Sequence, residues 1–129
     1  MSLRKKGKFM GKILVADDAG LIRMVARKAI EEAGHEAVLV ENGAEGLEAM
    51  KHHQFDLIFS DINMPIMGGL EMVKNIKEVK AYKHIPIVML TTESSPELKE
   101  QGKALGAKAW MLKPFDKEKF LMVVQKLLG

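Results

Sequence analysis

The sequence has 129 residues, a length that one domain with a single core accounts for. Hydrophobic residues make up 47% and charged residues 29%, which excludes disordered, collagen-like and mucin-like chains. There is no cysteine, so a disulfide framework, a thiolate nucleophile, a zinc–thiolate cluster and an iron–sulfur centre are excluded as well.

The formal net charge is +3, and its placement matters more than its size. Arg4, Lys5, Lys6, Lys8 and Lys12 precede the first acid, leaving 15 basic against 17 acidic residues downstream. Residues 1–10 therefore read as a basic, flexible extension and residues 11–129 as a slightly acidic domain. No direct nucleic-acid binding is expected of that domain. Apolar runs such as Ile85 to Leu90 fall far short of the ~20 residues of a membrane span, and no signal segment opens the chain. The expected address is cytoplasmic.

In chain order, Lys12 to Asp17 is a short β-branched apolar run ending in acid. Leu21, Ile22, Val25, Ala26, Ala29, Ile30 and Ala33 follow at helical spacing, closed by Gly34. Glu36 to Val40 predicts a second strand, and Leu47 and Met50 among Glu45, Glu48 and Lys51 a second helix. Phe55 to Ser60 predicts a third strand, ending in Asp61, and Leu70, Val73, Ile76, Lys77 and Val79 a third helix. Ile85 to Leu90 is the fourth strand. Ser95 can cap a fourth helix that has Pro96 at its first position and runs to Leu105. Ala109 to Leu112 is the fifth strand, and Phe120, Leu121, Val124, Leu127 and Leu128 line a last helix. Met24, Met72 and Met122 read as core filler.

Five strand–helix units with nearly continuous apolar strands predict a doubly wound α/β domain, because each parallel strand pair needs a crossover helix. Ligands of such sheets bind beyond the carboxyl ends of the strands. Those ends carry Asp17 and Asp18, Asp61, Thr91 and Thr92, and Lys113 and Pro114. Clustered carboxylates repel one another, so the set calls for a hard divalent cation beside Lys113, Mg²⁺ with Mn²⁺ as the alternative. A carboxylate at Asp61 could then attack phosphorus, with Thr91 donating to a phosphoryl oxygen. The four histidines, His35, His52, His53 and His84, lack metal-ligand spacing and read as surface residues.

At Val15-Ala-Asp-Asp18, Phe59-Ser-Asp-Ile-Asn-Met-Pro65, Leu90-Thr-Thr92 and Lys113-Pro-Phe115 the sequence resembles the receiver domain of bacterial two-component response regulators, most closely the short chemotaxis-type members. The likeness covers about Gly11 to Leu128. It implies a (βα)5 flavodoxin-like fold with strand order 2-1-3-4-5, a topology carried by the resemblance and not by the residues alone. It implies that Asp61 accepts a phosphoryl group from a sensor histidine kinase, that Asp18, Asp61 and the Asn63 carbonyl ligate Mg²⁺, and that Asp17 supports them. Lys113 would pair with the acceptor, and Thr91 and Trp110 would form the switch. Asn63 and Glu93 would tune autodephosphorylation, giving a phosphorylated state of seconds to minutes.

The implied function is a phosphorylation-dependent switch that catalyses only its own phosphorylation and dephosphorylation, and is not otherwise an enzyme. Its helix 4–strand 5–helix 5 face would act on an unidentified protein target, as a monomer or a phosphorylation-dependent dimer. From Pro96 onward seven lysines stand against four acids, which hints at an acidic target. Gly102 and a run of charged residues make the fourth helix read as loosely held. Three positions depart from the family pattern: Trp110 where Tyr, Phe or His is more common, Thr92 where a smaller residue is usual, and Gly68 in place of a capping side chain. An aspartyl-phosphate phosphohydrolase is the enzymatic rival, weakened because Asn63 occupies the place of its second carboxylate. A phosphorylation-independent binding module is the other rival. Whether the receiver stands alone or is one part of a longer chain is left open.

Overall fold

The computed structural model describes residues 10–92 and 95–128. The expectations for Glu93 and for nearly all of the basic extension lie outside the described residues. Five strands, β1 (Lys12–Ala16), β2 (Glu36–Val40), β3 (Leu57–Asp61), β4 (Ile87–Thr91) and β5 (Ala109–Leu112), form one parallel sheet in the order β2-β1-β3-β4-β5. Five helices, α1 (Gly20–Glu32), α2 (Gly43–Met50), α3 (Gly69–Lys77), α4 (Pro96–Leu105) and α5 (Lys117–Leu128), connect and cover it.

Alternation along the strands sends side chains into two separate cores. Leu14, Ala16, Ile58, Ile87 and Met89 meet Met50 of α2, Met72, Val73 and Ile76 of α3, and the half-buried Leu98 and Leu105 of α4. On the other face, Ile13, Val15, Leu57, Phe59, Val88 and Leu90 meet Ala26, Ala29 and Ile30 of α1 and Phe120 and Val124 of α5. The Phe59 and Phe120 rings stack with centroids 4.4 Å apart. Because both faces of the central strands are covered, β3 and β4 are buried along their whole length, which explains their uninterrupted apolar sequence.

Several elements differ from expectation. β4 starts at Ile87, since Pro86 has no N–H to offer a ladder, although its carbonyl accepts from Ile58 N–H at 3.0 Å. β3 starts at Leu57 and includes Asp61. α3 ends at Lys77, and Val79 is 43% exposed, ahead of a 3₁₀ turn over Lys80–Tyr82 that the sequence did not suggest. Met72 is buried as expected, but Met24 and Met122 are 57% and 69% exposed. Each lies two residues from a buried position, Ala26 and Val124, and two residues turn a helix by about 200°.

Leu127 and Leu128, at the end of α5, share a 190 Å³ hollow with Phe55, Asp56, His84 and Pro86, at the amino ends of β3 and β4. There Lys12 donates its N–H to Asp56 Oδ2 at 2.9 Å, and Gly11 donates its N–H to His35 Nδ1 at 2.9 Å. No helix among the described residues is long and apolar enough to cross a membrane.

Candidate functional site

The opposite rim, at the carboxyl ends of the strands, gathers the acids. Asp17 follows β1 directly and is fully buried, with every polar atom engaged. Its N–H donates to the Val40 carbonyl at 3.1 Å, and Oδ1 accepts from Ala19 N–H at 2.9 Å, the geometry of an Asx turn. Oδ2 accepts from Lys113 Nζ at 3.0 Å, and the carbonyl accepts from Arg23 Nη1 at 2.7 Å. Asp18, one residue on, is exposed.

Asp61 ends β3 and is 7% exposed. Its Oδ1 accepts from Ile62 N–H at 2.8 Å and lies 3.2 Å from Lys113 Nζ. Lys113 is aimed from the β5–α5 connection by its own N–H, which donates to the Thr91 carbonyl at 2.8 Å. The Lys113–Pro114 peptide is cis. Thr91 ends β4, is buried, and pairs in register with Leu112. Asn63 is exposed in the loop two residues beyond Asp61.

Asp17, Asp18 and Asp61 each present a carboxylate oxygen within 4.8 Å of the other two. Burial pushes the Asp61 carboxyl above its usual value, the Asp17 charge adds to that, and Lys113 opposes it. Burial disfavours the Lys113 ammonium, yet the hydrogen bond and charge of Asp17, joined by Asp61, outweigh it and raise its pKa. One ammonium against three carboxylates leaves two negative charges uncompensated, the charge of one divalent cation. The donors are all hard oxygens, and the exposed Asp18 leaves the set open to solvent. The residues thus fit Mg²⁺ or Mn²⁺.

Sequence reasoning assigned no role to Arg23, Ser60 or Gly69. Arg23 fixes the Asp17 carbonyl and lies 3.7 Å from Glu41. Ser60 Oγ donates to the Asp61 carbonyl at 2.8 Å. Gly69, the first residue of α3, packs so close that a methyl group there would overlap the Asp61 carbonyl oxygen. Gly68 stands at the N-cap without a side-chain cap, as the departure from the family pattern anticipated. The following turn holds Ile66 at φ 70° and 85% exposed, with Met67 N–H donating to the Pro65 carbonyl at 2.7 Å.

Thr91 and Trp110 line one groove of 740 Å³ between α4, β5 and α5. Met89 pairs with Trp110 and lies two residues before Thr91, so Thr91 and Trp110 face the same side of the sheet. Lys99, Lys113 and Lys119 also line this groove, and no acidic residue does among the described ones.

A family model described as the response regulator receiver domain matches residues 13–125. The solved structure of the chemotaxis response regulator CheY4 of Vibrio cholerae is 44% identical, with a TM-score of 0.88, covering 92% of this chain and 99% of that one. The polar-differentiation response regulator DivK of Brucella anthropi is 30% identical over 117 residues, 91% of this chain and 95% of its own length. The sensory/regulatory protein RpfC of Xanthomonas campestris pv. campestris is 34% identical over 112 residues, 85% of this chain but 15% of RpfC. The chain thus spans only a small part of that relative and nearly all of DivK. With its 2-1-3-4-5 parallel sheet and its acid cluster at the strand ends, the chain belongs to the response regulator receiver domain family.

Proposed function

We propose that this receiver is a phosphorylation-dependent switch in which Asp61 is the phosphoacceptor. The observation that carries the reading is Lys113, whose ammonium lies within 3.2 Å of both Asp17 and Asp61 inside a cluster of three carboxylates. A carboxylate oxygen of Asp61 forms the new O–P bond as the N–P bond of a kinase phosphohistidine breaks, and the departing imidazole takes up a proton. Lys113 spreads the charge of the transferring group, and Ile62 N–H keeps the acceptor oriented. Asp18, Asp61 and the Asn63 carbonyl would hold Mg²⁺, with Asp17 in support, and bound there the ion would supply charge neutralisation for the phosphoryl oxygens.

Thr91 then donates to a phosphoryl oxygen, and Trp110, on the same side of the sheet, follows it. The local charge change is thereby read out on the face of α4, β5 and α5. The lysine-lined groove there suits an acidic target segment with an apolar anchor. The donor kinase, the target, the cytoplasmic address and the lifetime set by Asn63 and Glu93 belong to the same reading.

Incubation with acetyl phosphate and Mg²⁺, read by intact mass, is the test. A single phosphoryl adduct that Asp61→Asn or chelation of the metal removes is expected. An adduct that survives Asp61→Asn overturns the assignment. Charge reversal at Lys99 and Lys119 is expected to weaken target capture, and unchanged capture removes the acidic-target part.

A further inference from the structure

Gly102 sits in the middle of α4 and is the helix's one buried residue. A mid-helix glycine weakens a helix relative to alanine, because its backbone loses more freedom on ordering. Its position against β5 explains why it is there. A Cβ built on Gly102 would stand 2.8 Å from Trp110 Cζ2, 3.4 Å from Cε2 and 3.6 Å from Nε1. The indole therefore occupies the space that a side chain at 102 would fill. The first of these distances is closer than packed carbon atoms tolerate, so the large ring or the helix backbone would have to shift to relieve it.

The ring's neighbours make that seat consequential. Trp110 lines both the 740 Å³ groove and a 280 Å³ hollow with Lys99, Glu100, Lys103 and Lys108. The ring is thus shared by two depressions of the α4–β5 face, each lined by three lysines. The rest of α4 holds on weakly, through the half-buried Leu98 and Leu105.

We propose that Gly102 is the positioning residue for Trp110: the absence of its side chain forms the seat that fixes the ring's resting place against α4. The large ring and the missing side chain compensate each other in volume. This deepens, and for its signalling consequence rests on, the reading of Thr91 and Trp110 as the switch. When the indole leaves the seat, a gap opens over a helix with no other buried residue. The lost contacts have no replacement until α4 moves toward β5 or water enters. Ring position and helix position are thus one coordinate, and the residue at 102 sets its balance.

The test is a double-mutant cycle of Gly102→Ala and Trp110→Phe, with urea unfolding followed by far-UV circular dichroism and acrylamide quenching of Trp110 recorded in the chains that retain it. In the Trp110→Phe background, Gly102→Ala is expected to raise the folding constant by about two- to fivefold, the ordinary helix gain. In the Trp110 background it is expected to lower the urea midpoint and raise acrylamide quenching, as the ring is pushed off its seat. Failure of the single variant to fold while the double variant folds is the same result in stronger form. An equal rise in both backgrounds, with quenching unchanged, overturns the seat. The switch reading fails separately: Mg²⁺ with beryllofluoride would then leave Trp110 fluorescence of the unaltered chain unchanged, whatever the cycle shows.

Discussion

The Lys113 ammonium lies 3.0 Å from Asp17 Oδ2 and 3.2 Å from Asp61 Oδ1, so one side chain from beyond the edge strand β5 reaches past β4 to tie together the ends of β3 and β1. Removing one partner of a buried charge cluster is far more damaging than never having built it. Lys113→Ala is expected to cost about 3 kcal/mol in urea unfolding without metal. Millimolar Mg²⁺ is expected to restore more stability to the variant than to the parent, because the cation takes over part of the missing compensation. Phosphoryl uptake from acetyl phosphate is expected to fall by orders of magnitude in the same variant.

Asp61→Asn tests the opposite side of the same balance. Burial and the Asp17 charge both disfavour the Asp61 carboxylate, so replacing it with a neutral isostere relieves the fold at neutral pH. A gain of about 1 kcal/mol in metal-free unfolding is expected, with complete loss of the phosphoryl adduct. Stability bought back at the expense of activity is what a site tuned for chemistry predicts.

Gly69→Ala probes a contact that no charge argument reveals. The added methyl meets the Asp61 carbonyl and Ser60 Oγ, the second at 2.8 Å, and both belong to the rigid end of β3. A loss of about 2 kcal/mol is expected from overpacking, and, on the proposed role of Asp61, slower phosphoryl uptake from acetyl phosphate, because the Asp61 backbone must move.

Ile66→Asn is expected to stabilise the domain by about 1 kcal/mol. A β-branched residue at φ 70° is strained, and Asn tolerates that region far better. The Ile66 side chain is almost fully exposed, so little packing is lost in the exchange. Thermal unfolding of the two chains side by side decides the sign.

At the amino rim, His35 Nδ1 accepts the Gly11 N–H, and burial lowers the histidine pKa below 6.5 while Asp56 opposes the shift. In the unfolded chain the imidazole takes its proton near pH 6.5, before the folded one does. The stability it contributes is therefore complete above that value and is lost as pH falls through the lower folded pKa. Urea midpoints are expected to decline from about pH 7 to about pH 5, and His35→Ala to flatten that decline while costing about 1 kcal/mol at neutral pH.

The sequence makes the strand–helix alternation legible because each central strand is an unbroken apolar run, and it makes the rim legible because each run ends in a chemically distinctive residue. Asp17, Asp18, Asp61, Thr91 and Lys113 all fall at the strand ends where they were expected. What stays hidden depends on phase and on emptiness. Met24 and Met122 match helical spacing loosely but lie about 200° from the buried stripe. Gly102 reads as weakness in a helix until the indole packed against it is seen, and Gly69 attracts no reading at all until the Asp61 carbonyl is placed beside it. Propensity reports what a residue costs its own element, never what a neighbour gains from the space it leaves.

The hollow that Leu127 and Leu128 share with Phe55 and Pro86 puts the end of α5 beside the start of β1, on the rim away from the acids. Lys12 and Leu128, the first residue of β1 and the last of α5, therefore both lie at the pole opposite Asp17, Asp18 and Asp61. In RpfC the segment similar to this chain is 15% of the whole, and a unit whose two ends share one pole can join neighbouring segments there without crossing the acid cluster at the other.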